Sequence, residues 1–372
     1  MTSDLKGRGG GREPEVSGRT HHGPFGRKDL HAERAVAHPA GGAEITVGLR
    51  VPHELPGGAA GLREFAARVE ATGIDRVFVG DHVAFKGGHG FDGLVNAAAV
   101  ALASRCLMVQ TAVYLLPLRH PVPVARQVAT LAGLAPGRLV FGVGLGGEDP
   151  AELRACGVEV ASRGRRMDEA LAVLRPLLAG AEVTMHGDFF GLDRVRIAPA
   201  PEPAVPVVIG GRSDAALRRV ARFGDGWLGL WVSPTRYADA VGLIGKYAAD
   251  VGRPVAGWRH GMHVWCGLGA SAATARGALA AVMEEFYRVP FGKFERYCPC
   301  GTPEQVAADL RPYVDAGCRS FNLIPVADGE QAAIDGAAAV RALLARGDDP
   351  AGLAACGGPR PPREGMGGEE RR

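Results

Sequence analysis

The chain has 372 residues, 47% of them hydrophobic and 22% charged, which supports a full globular core and excludes global disorder. A formal charge of +3, with no block of lysine or arginine interleaved with aromatics, excludes nucleic acid as a main partner, and no apolar run approaches the roughly 18–20 residues of a membrane span. The seven cysteines stand singly except for Cys298 and Cys300 in "CPC", lack zinc-site spacing, and point to free thiols in a reducing cytosol.

Residues 1–43 are rich in Gly, Arg, His and Pro and are expected to form a disordered tail, as are residues 347–372. The N-terminal stretch also lacks the apolar middle of a secretory signal, in keeping with a cytoplasmic protein. One globular domain is expected over 44–346.

Within it, apolar β-prone runs alternate with helical patterns. "ITVGLRV" is followed by "GLREFAARVEATG", whose Leu62, Phe65, Ala66 and Val69 fall on one helical face. "DRVFVGD" precedes the small-residue helix "GLVNAAAVALAS". "LMVQTAVYLL" precedes "PVPVARQVATLAGLAPG", with a proline near its start and a Pro-Gly stop. "RLVFGVG" leads to "SRGRRMDEALAVLRPLLAG", opened by Ser162. "PVVIGG" leads to "SDAALRRVARFG", "GWLGLW" to "SPTRYADAVGLIGKYAADVG", and "HGMHVWCGL" to "SAATARGALAAVMEEFY". "RSFNLIPV" and "GEQAAIDGAAAVRALLARG" complete the series.

These are eight strand–helix units, and most of the strands are continuously apolar, as parallel strands covered on both faces must be. The expected fold is a (β/α)8 TIM barrel with insertions at the C-terminal face. A doubly wound open sheet is the competitor, but "LRVPHELPGG" supplies no dinucleotide glycine fingerprint after the first strand. Two pieces exceed the minimal barrel. "AEVTMHGDFFGLDRVRIAPAPEP" reads as a hairpin before the fifth strand, and "RVPFGKFERYCPCGTPEQVAADLRPYVDAG" as a loop and extra helix before the eighth.

Catalytic groups of a barrel lie at C-terminal strand ends, where the second strand places Asp81 and His82. His82 can exchange a proton near neutrality, and the bland alternative is a loop-capping pair. Gly142, Gly144, Gly146 and Gly147 end the fourth strand, either to admit a flat or phosphorylated ligand or to make a tight turn. The fifth strand ends in Gly210-Gly211, and Ser213 or Asp214 then caps a helix. Backbone amides there suit a phosphate, or form an ordinary N-cap. The helix dipole contributes only about 0.3–1 kcal/mol, so bonds from Ser213 and the Gly211 and Arg212 amides must add most of the binding. His260 and His263 point to opposite strand faces and make a poor metal pair, His53 stands alone, and no metal site is expected. For Trp227, Trp231, Trp258 and Trp265, core is the favoured placement over pocket wall. Arg163, Arg165 and Arg166 are expected to pair with Asp168, Glu169 or neighbouring loops.

The stretches "VFVGDHV", "LLPLRHPVPVARQVATLAGLAPGRLVFGVGLGG", "SRGRRMDEALAVLRPLLAG" and "PVVIGGRSDAALRRVARFGDGW" together resemble the luciferase-like monooxygenase superfamily, most of all its branch using the deazaflavin coenzyme F420. The resemblance implies a catalytic His82 facing the substrate and Asp81 touching the ring or ribityl side of the coenzyme. It implies a bulge behind the ring at Thr111, Ala112 and Val113, often with a non-prolyl cis bond. Gly144, Gly146 and Gly147 would skirt the ribityl chain, and Gly210, Gly211, Arg212 and Ser213 the phosphate. Sugar-phosphate dehydrogenases of this branch carry a glutamate where this chain has Gly147, with Glu148 one place on, which argues against that substrate. The implied activity is hydride transfer between F420 and a small organic substrate. The alternatives are a monooxygenase using reduced FMN with a separate reductase partner, and a non-catalytic flavin-binding barrel. Homodimers are common in the family.

Overall fold

Strands without polar alternation need cover on both faces, and the computed structural model provides it. It describes residues 44–52, 57–86, 88–147 and 149–346, so the expected tails lie outside the described residues. In chain order the elements are β1 (Thr46–Arg50), α1 (Ala59–Ala71), β2 (Arg76–Val79), α2 (Gly93–Ala103), β3 (Met108–Thr111), β4 (Tyr114–Leu115), α3 (Pro121–Leu134) and β5 (Leu139–Gly144). Then come α4 (Pro150–Ala155), α5 (Arg163–Leu178), β6 (Val183–His186), β7 (Gly191–Val195), β8 (Val207–Gly210), α6 (Asp214–Phe223), β9 (Gly226–Leu230) and α7 (Pro234–Asp250). The chain continues through β10 (Gly261–Leu268), α8 (Ala272–Tyr287), β11 (Cys300–Gly301), α9 (Pro303–Asp315), β12 (Ser320–Val326) and α10 (Glu330–Arg346).

The strands β1, β2, β3, β5, β8, β9, β10 and β12 pair in parallel in that order, and β12 pairs with β1 to close the cylinder. This is a TIM barrel, and the open-sheet competitor is excluded. Helices follow the expected patterns: α1 buries Leu62, Phe65, Ala66 and Val69. Ser162 stands at the start of α5, but its hydroxyl donates to the Glu159 carbonyl and does not cap the helix. The third expected strand is broken into β3 and β4 by a cis Ala112–Val113 peptide, at the bend the resemblance implied.

Of the two insertions, β6 and β7 form an antiparallel hairpin held outside the barrel by Glu169, which accepts from the Phe189 and Phe190 amides. The segment before β12 reaches the mouth, where Phe294 packs on Trp231 with ring centroids 4.7 Å apart. Among the described residues no helix is long and apolar enough to cross a membrane.

Near the opposite end the barrel interior is polar. Arg76 is buried and donates to Asn322 Oδ1 (2.8 and 3.0 Å), Ser320 Oγ (2.6 Å) and Thr46 Oγ1 (2.9 Å). Burial pushes its guanidinium down to about 10, so it stays charged at neutral pH. A Cβ at Gly48 would lie 2.8 Å from Arg76 Cγ, so glycine is what makes room for this side chain. Asn322→Leu strands the guanidinium without its main acceptor and should lower stability by about 3 kcal/mol. Urea unfolding would show this as a lower midpoint at constant slope.

Candidate active site

A cavity of about 550 Å³ opens at the C-terminal ends of the barrel strands. Its two sides differ in chemistry. The arc from β3 to β8 is built of small residues, with Ala112, Val113, Gly144 and Gly210 in its wall, whereas the arc from β10 through β12 and β1 to β2 carries Trp265, Ile324, Arg50 and Phe78. Phe286 and Tyr287, at the end of α8, add aromatic cover. Such a vessel, apolar with a few directed polar groups, suits a planar ligand.

Asp81 and His82, side by side at the end of β2, do different work. Asp81 is 2% exposed, and both its oxygens are engaged. Oδ2 accepts from Arg119 (2.5 Å) and the Leu115 amide (2.8 Å), and Oδ1 accepts from Arg119 (2.9 Å) and the Gly93 amide (2.8 Å). Burial pushes this carboxyl up from its ordinary value, against the pull of Arg119 and the two amides. The pair joins the end of β2 to the start of α2 and to the turn after β4. A ligand therefore meets Asp81 as wall, with no lone pair of its carboxylate left over from these four donors.

His82 lines the cavity and stacks on Phe85 at 4.2 Å. Its Nδ1 lies 3.1 Å from Oε2 of Glu152, a buried residue on α4 that also accepts from the Val83 (2.6 Å) and Ala84 (3.1 Å) amides. With Nδ1–H donated to this carboxylate, Nε2 is the nitrogen left to gain or lose a proton. Asp149 strengthens the same junction, accepting from the Lys86 amide at 2.8 Å, and the Lys86 ammonium donates to the Phe286 and Tyr287 carbonyls. Loop 82–86 is thereby pinned to both α4 and α8.

On the small-residue arc, Val113 projects between two glycines. A Cβ on Gly144 would overlap Val113 Cγ2, and one on Gly210 would lie 3.2 Å from Val113 Cγ1. Farther round, Ser213 caps α6 by accepting from the Ala216 amide (3.2 Å), which leaves its hydroxyl proton free to donate. Gly211 has φ +126°, and Trp227 Nε1 donates to its carbonyl at 2.6 Å, fixing the turn that opens the helix toward the cavity. The negative charge of Asp214 is turned aside, paired with Arg218 (2.8 Å) and accepting from Tyr247 (2.5 Å). Arg163, also in the wall, has a buried Nε with no partner, close beside Gly147. A helix N-terminus, a free hydroxyl and an unsatisfied guanidinium N–H fit a phosphate, and the slot around Val113 fits a ring.

The residues singled out in the sequence converge well. His82, Asp81, Ala112, Val113, Gly144, Gly146, Gly147, Gly210, Gly211, Arg212 and Ser213 all line the cavity. Thr111 does not: it is fully buried and its hydroxyl donates to the Gly142 carbonyl at 2.7 Å, so it shapes the bulge from behind. His53 and Glu148 lie outside the described residues. Trp227 is core, whereas Trp231 and Trp265 are cavity wall. Arg163 bonds to the Val160 carbonyl, Arg165 pairs with Asp188, and Arg166 donates to the Pro117 carbonyl, while Asp168 pairs instead with Arg219. Glu152 and Arg50 escaped the sequence reading. Glu152 follows a clear Asp149-Pro150 helix start, but no pattern announces a partner 70 positions away.

The model of the luciferase-like monooxygenase family matches residues 43–320. The chain belongs to the luciferase-like monooxygenase family. Among its relatives, an F420-dependent glucose-6-phosphate dehydrogenase of Nakamurella multipartita is 31% identical over 186 residues, 48% of this chain and 55% of that protein. The chain spans about half the length of the first curated relatives it matches. An F420-dependent secondary alcohol dehydrogenase in complex with an F420-acetone adduct superposes with a TM-score of 0.71 at 22% identity, covering 81% of this chain and 99% of the other. The oxygenating constituent of 3,6-diketocamphane monooxygenase of Pseudomonas putida, in complex with FMN, gives 0.66 at 15%, covering 81% and 98%. At such identities both structures speak for the fold, a luciferase-like barrel.

Two substitutions separate scaffold from contact in this luciferase-like site. Asp81→Ala leaves a partly buried guanidinium and two amides uncompensated and should cost about 3 kcal/mol. That loss would appear as a large fall in the unfolding midpoint, the mark of a structural clamp. Gly211→Val, at a left-handed backbone position where a Cβ would lie 2.8 Å from the Ala216 Cβ, should cost less, about 1–3 kcal/mol, but weaken binding of a phosphorylated cofactor at least tenfold in a fluorescence titration.

Proposed function

We propose that this chain transfers a hydride between the deazaflavin coenzyme F420 and a small organic substrate, with the phosphate of the coenzyme at Ser213 and Gly211 and its ring beside Val113. The observation that favours F420 is a second cleft of about 340 Å³ that shares Arg212 and Trp231 with the main cavity. Arg236 and Arg296 line it too, so three guanidinium groups converge just beyond the phosphate end. F420 continues past its phosphate into a chain of carboxylates, which such a cleft complements; FMN stops at the phosphate. The F420-dependent activity named for the Nakamurella multipartita relative supports the same reading. The FMN complex of the diketocamphane enzyme keeps a reduced-FMN monooxygenase, served by a separate reductase, as the second reading.

When bound, the deazaflavin supplies a ring carbon that gives or accepts hydride. The protein's tasks are to bind, to orient and to manage one proton. In reduction of a carbonyl, His82 Nε2 gives a proton to the oxygen as the carbon receives hydride; in oxidation of the alcohol it takes that proton back. Glu152 holds the ring in one tautomer and orientation and stabilises the charged imidazolium. Phe85, Phe286 and Trp265 limit water at this point.

Paired titrations with F420 and FMN, oxidised and reduced, test the cofactor assignment. Binding of F420 at micromolar concentration or tighter, with weaker FMN binding, is expected; preference for reduced FMN would turn the assignment to the oxygenase. Removing Arg236 or Arg296 as glutamine variants should weaken F420 by about two- to fivefold each, less at high salt, and leave FMN unchanged. His82→Ala should lower kcat by about 10²–10⁴ without changing cofactor affinity. Unchanged turnover would remove His82 from the reaction.

A further inference from the structure

Across the cavity from the phosphate end, Arg50 closes β1 with its guanidinium in the wall. Its nearest neighbours are aromatic: the cation lies 5.6 Å from the Trp265 ring centroid and 5.8 Å from that of Phe286. Neither an ion pair nor a hydrogen bond joins the Arg50 side chain to another group among the described residues, in contrast to Arg76, Arg119, Arg175 and Arg219, each of which has its oxygen acceptors. Beside it, His263 meets the Phe78 ring edge-on at 5.1 Å and has a buried Nδ1 with no partner. Burial, reinforced by Arg50, pushes His263 down to about 3, so this imidazole is neutral.

A desolvated cation needs a counter-charge, and cation–π contact replaces only part of its lost hydration. The wall thus presents one uncompensated positive charge and one neutral ring with an unsatisfied nitrogen, set among flat apolar surfaces. We propose that Arg50 is a specificity-determining residue that receives a carboxylate of the substrate, and that the substrate class is an organic monoacid with a flat, largely apolar body. The inference rests on the hydride-transfer reading for what happens to that body, but not for its binding. A phosphate monoester fits less well, because among the described residues that line this arc Arg50 is the only cation to meet its two negative charges, and the nearby Lys86 ammonium is already engaged by the Phe286 and Tyr287 carbonyls. Arg163 and Arg212 lie toward the phosphate end of the cavity. His82 lies between the two halves, where an acid held at Arg50 would bring its reactive carbon toward the coenzyme.

Calorimetric titration with benzoate, benzamide and phenyl phosphate tests this, on the purified protein and again after saturation with oxidised F420. Wild type should bind benzoate roughly ten- to a hundredfold more tightly than benzamide, the range of a hydrogen-bonded charge pair, and more tightly than phenyl phosphate. Arg50→Met should erase the preference for the acid over the amide, and Arg50→Lys should keep part of it. Equal binding of acid and amide by wild type, or a preference that survives in Arg50→Met, overturns the assignment. So does a loss in Arg50→Met that falls on F420 affinity while the preference for the acid remains. Because the readout is heat and not turnover, failure to bind F420 would sink the cofactor reading alone.

Discussion

The mouth of this barrel depends on one buried carboxylate. Asp81 takes four hydrogen bonds, two from a single guanidinium and two from the amides of Gly93 and Leu115. Those amides belong to the start of α2 and to β4, so a single side chain fixes two separate segments at the mouth of the barrel. Arg119 is held in turn, over the Tyr114 ring at 4.4 Å and against Asp92, which caps α2. A charge this deep survives only because it is matched and fully bonded, and that requirement makes the geometry around it narrow.

With that loop root fixed, His82 can be aimed. A second buried carboxylate, Glu152 on α4, gathers its Nδ1 and the next two amides. Adjacent residues therefore divide the labour: the inward carboxylate is scaffold, and the imidazole beside it faces the cavity. Titratable groups end a buried strand here because one of them anchors the backbone that holds the other at the cavity wall. The same division runs round the cavity. Glycines and Val113 make a slot on one arc, Ser213 and Arg163 offer donors at its end, and the opposite arc keeps an unpaired cation among aromatic rings. The two arcs thereby offer different chemical surroundings within one vessel.

The outer elements support this arrangement at a distance. Lys86 ties the His82 loop to the end of α8, so the aromatic cover and this loop are mechanically linked. Trp227, fully buried, holds the Gly211 carbonyl and with it the turn before α6. The β6–β7 hairpin, by contrast, packs outside on α5 and adds nothing to the wall, which separates the two insertions by role.

The sequence by itself determined the repeated alternation of apolar strand and helix, and with it the barrel. Each unit must bury a continuous apolar strand on both faces, a local requirement readable in short runs such as "RLVFGVG". The same locality made Ser213 and the paired glycines legible, because caps and turns are chosen by neighbours in the chain, whereas the bend at Ala112–Val113 was implied by the family resemblance. Only the tertiary structure decided the rest. It made Asp81 a clamp, set Thr111 behind the wall, drew Glu152 to His82 and left Arg50 without a counter-ion. These are pairings, or missing pairings, between groups many tens of residues apart. Charge and hydrogen bonding depend on distance in space, and it is the closed ring of strands that sets that distance.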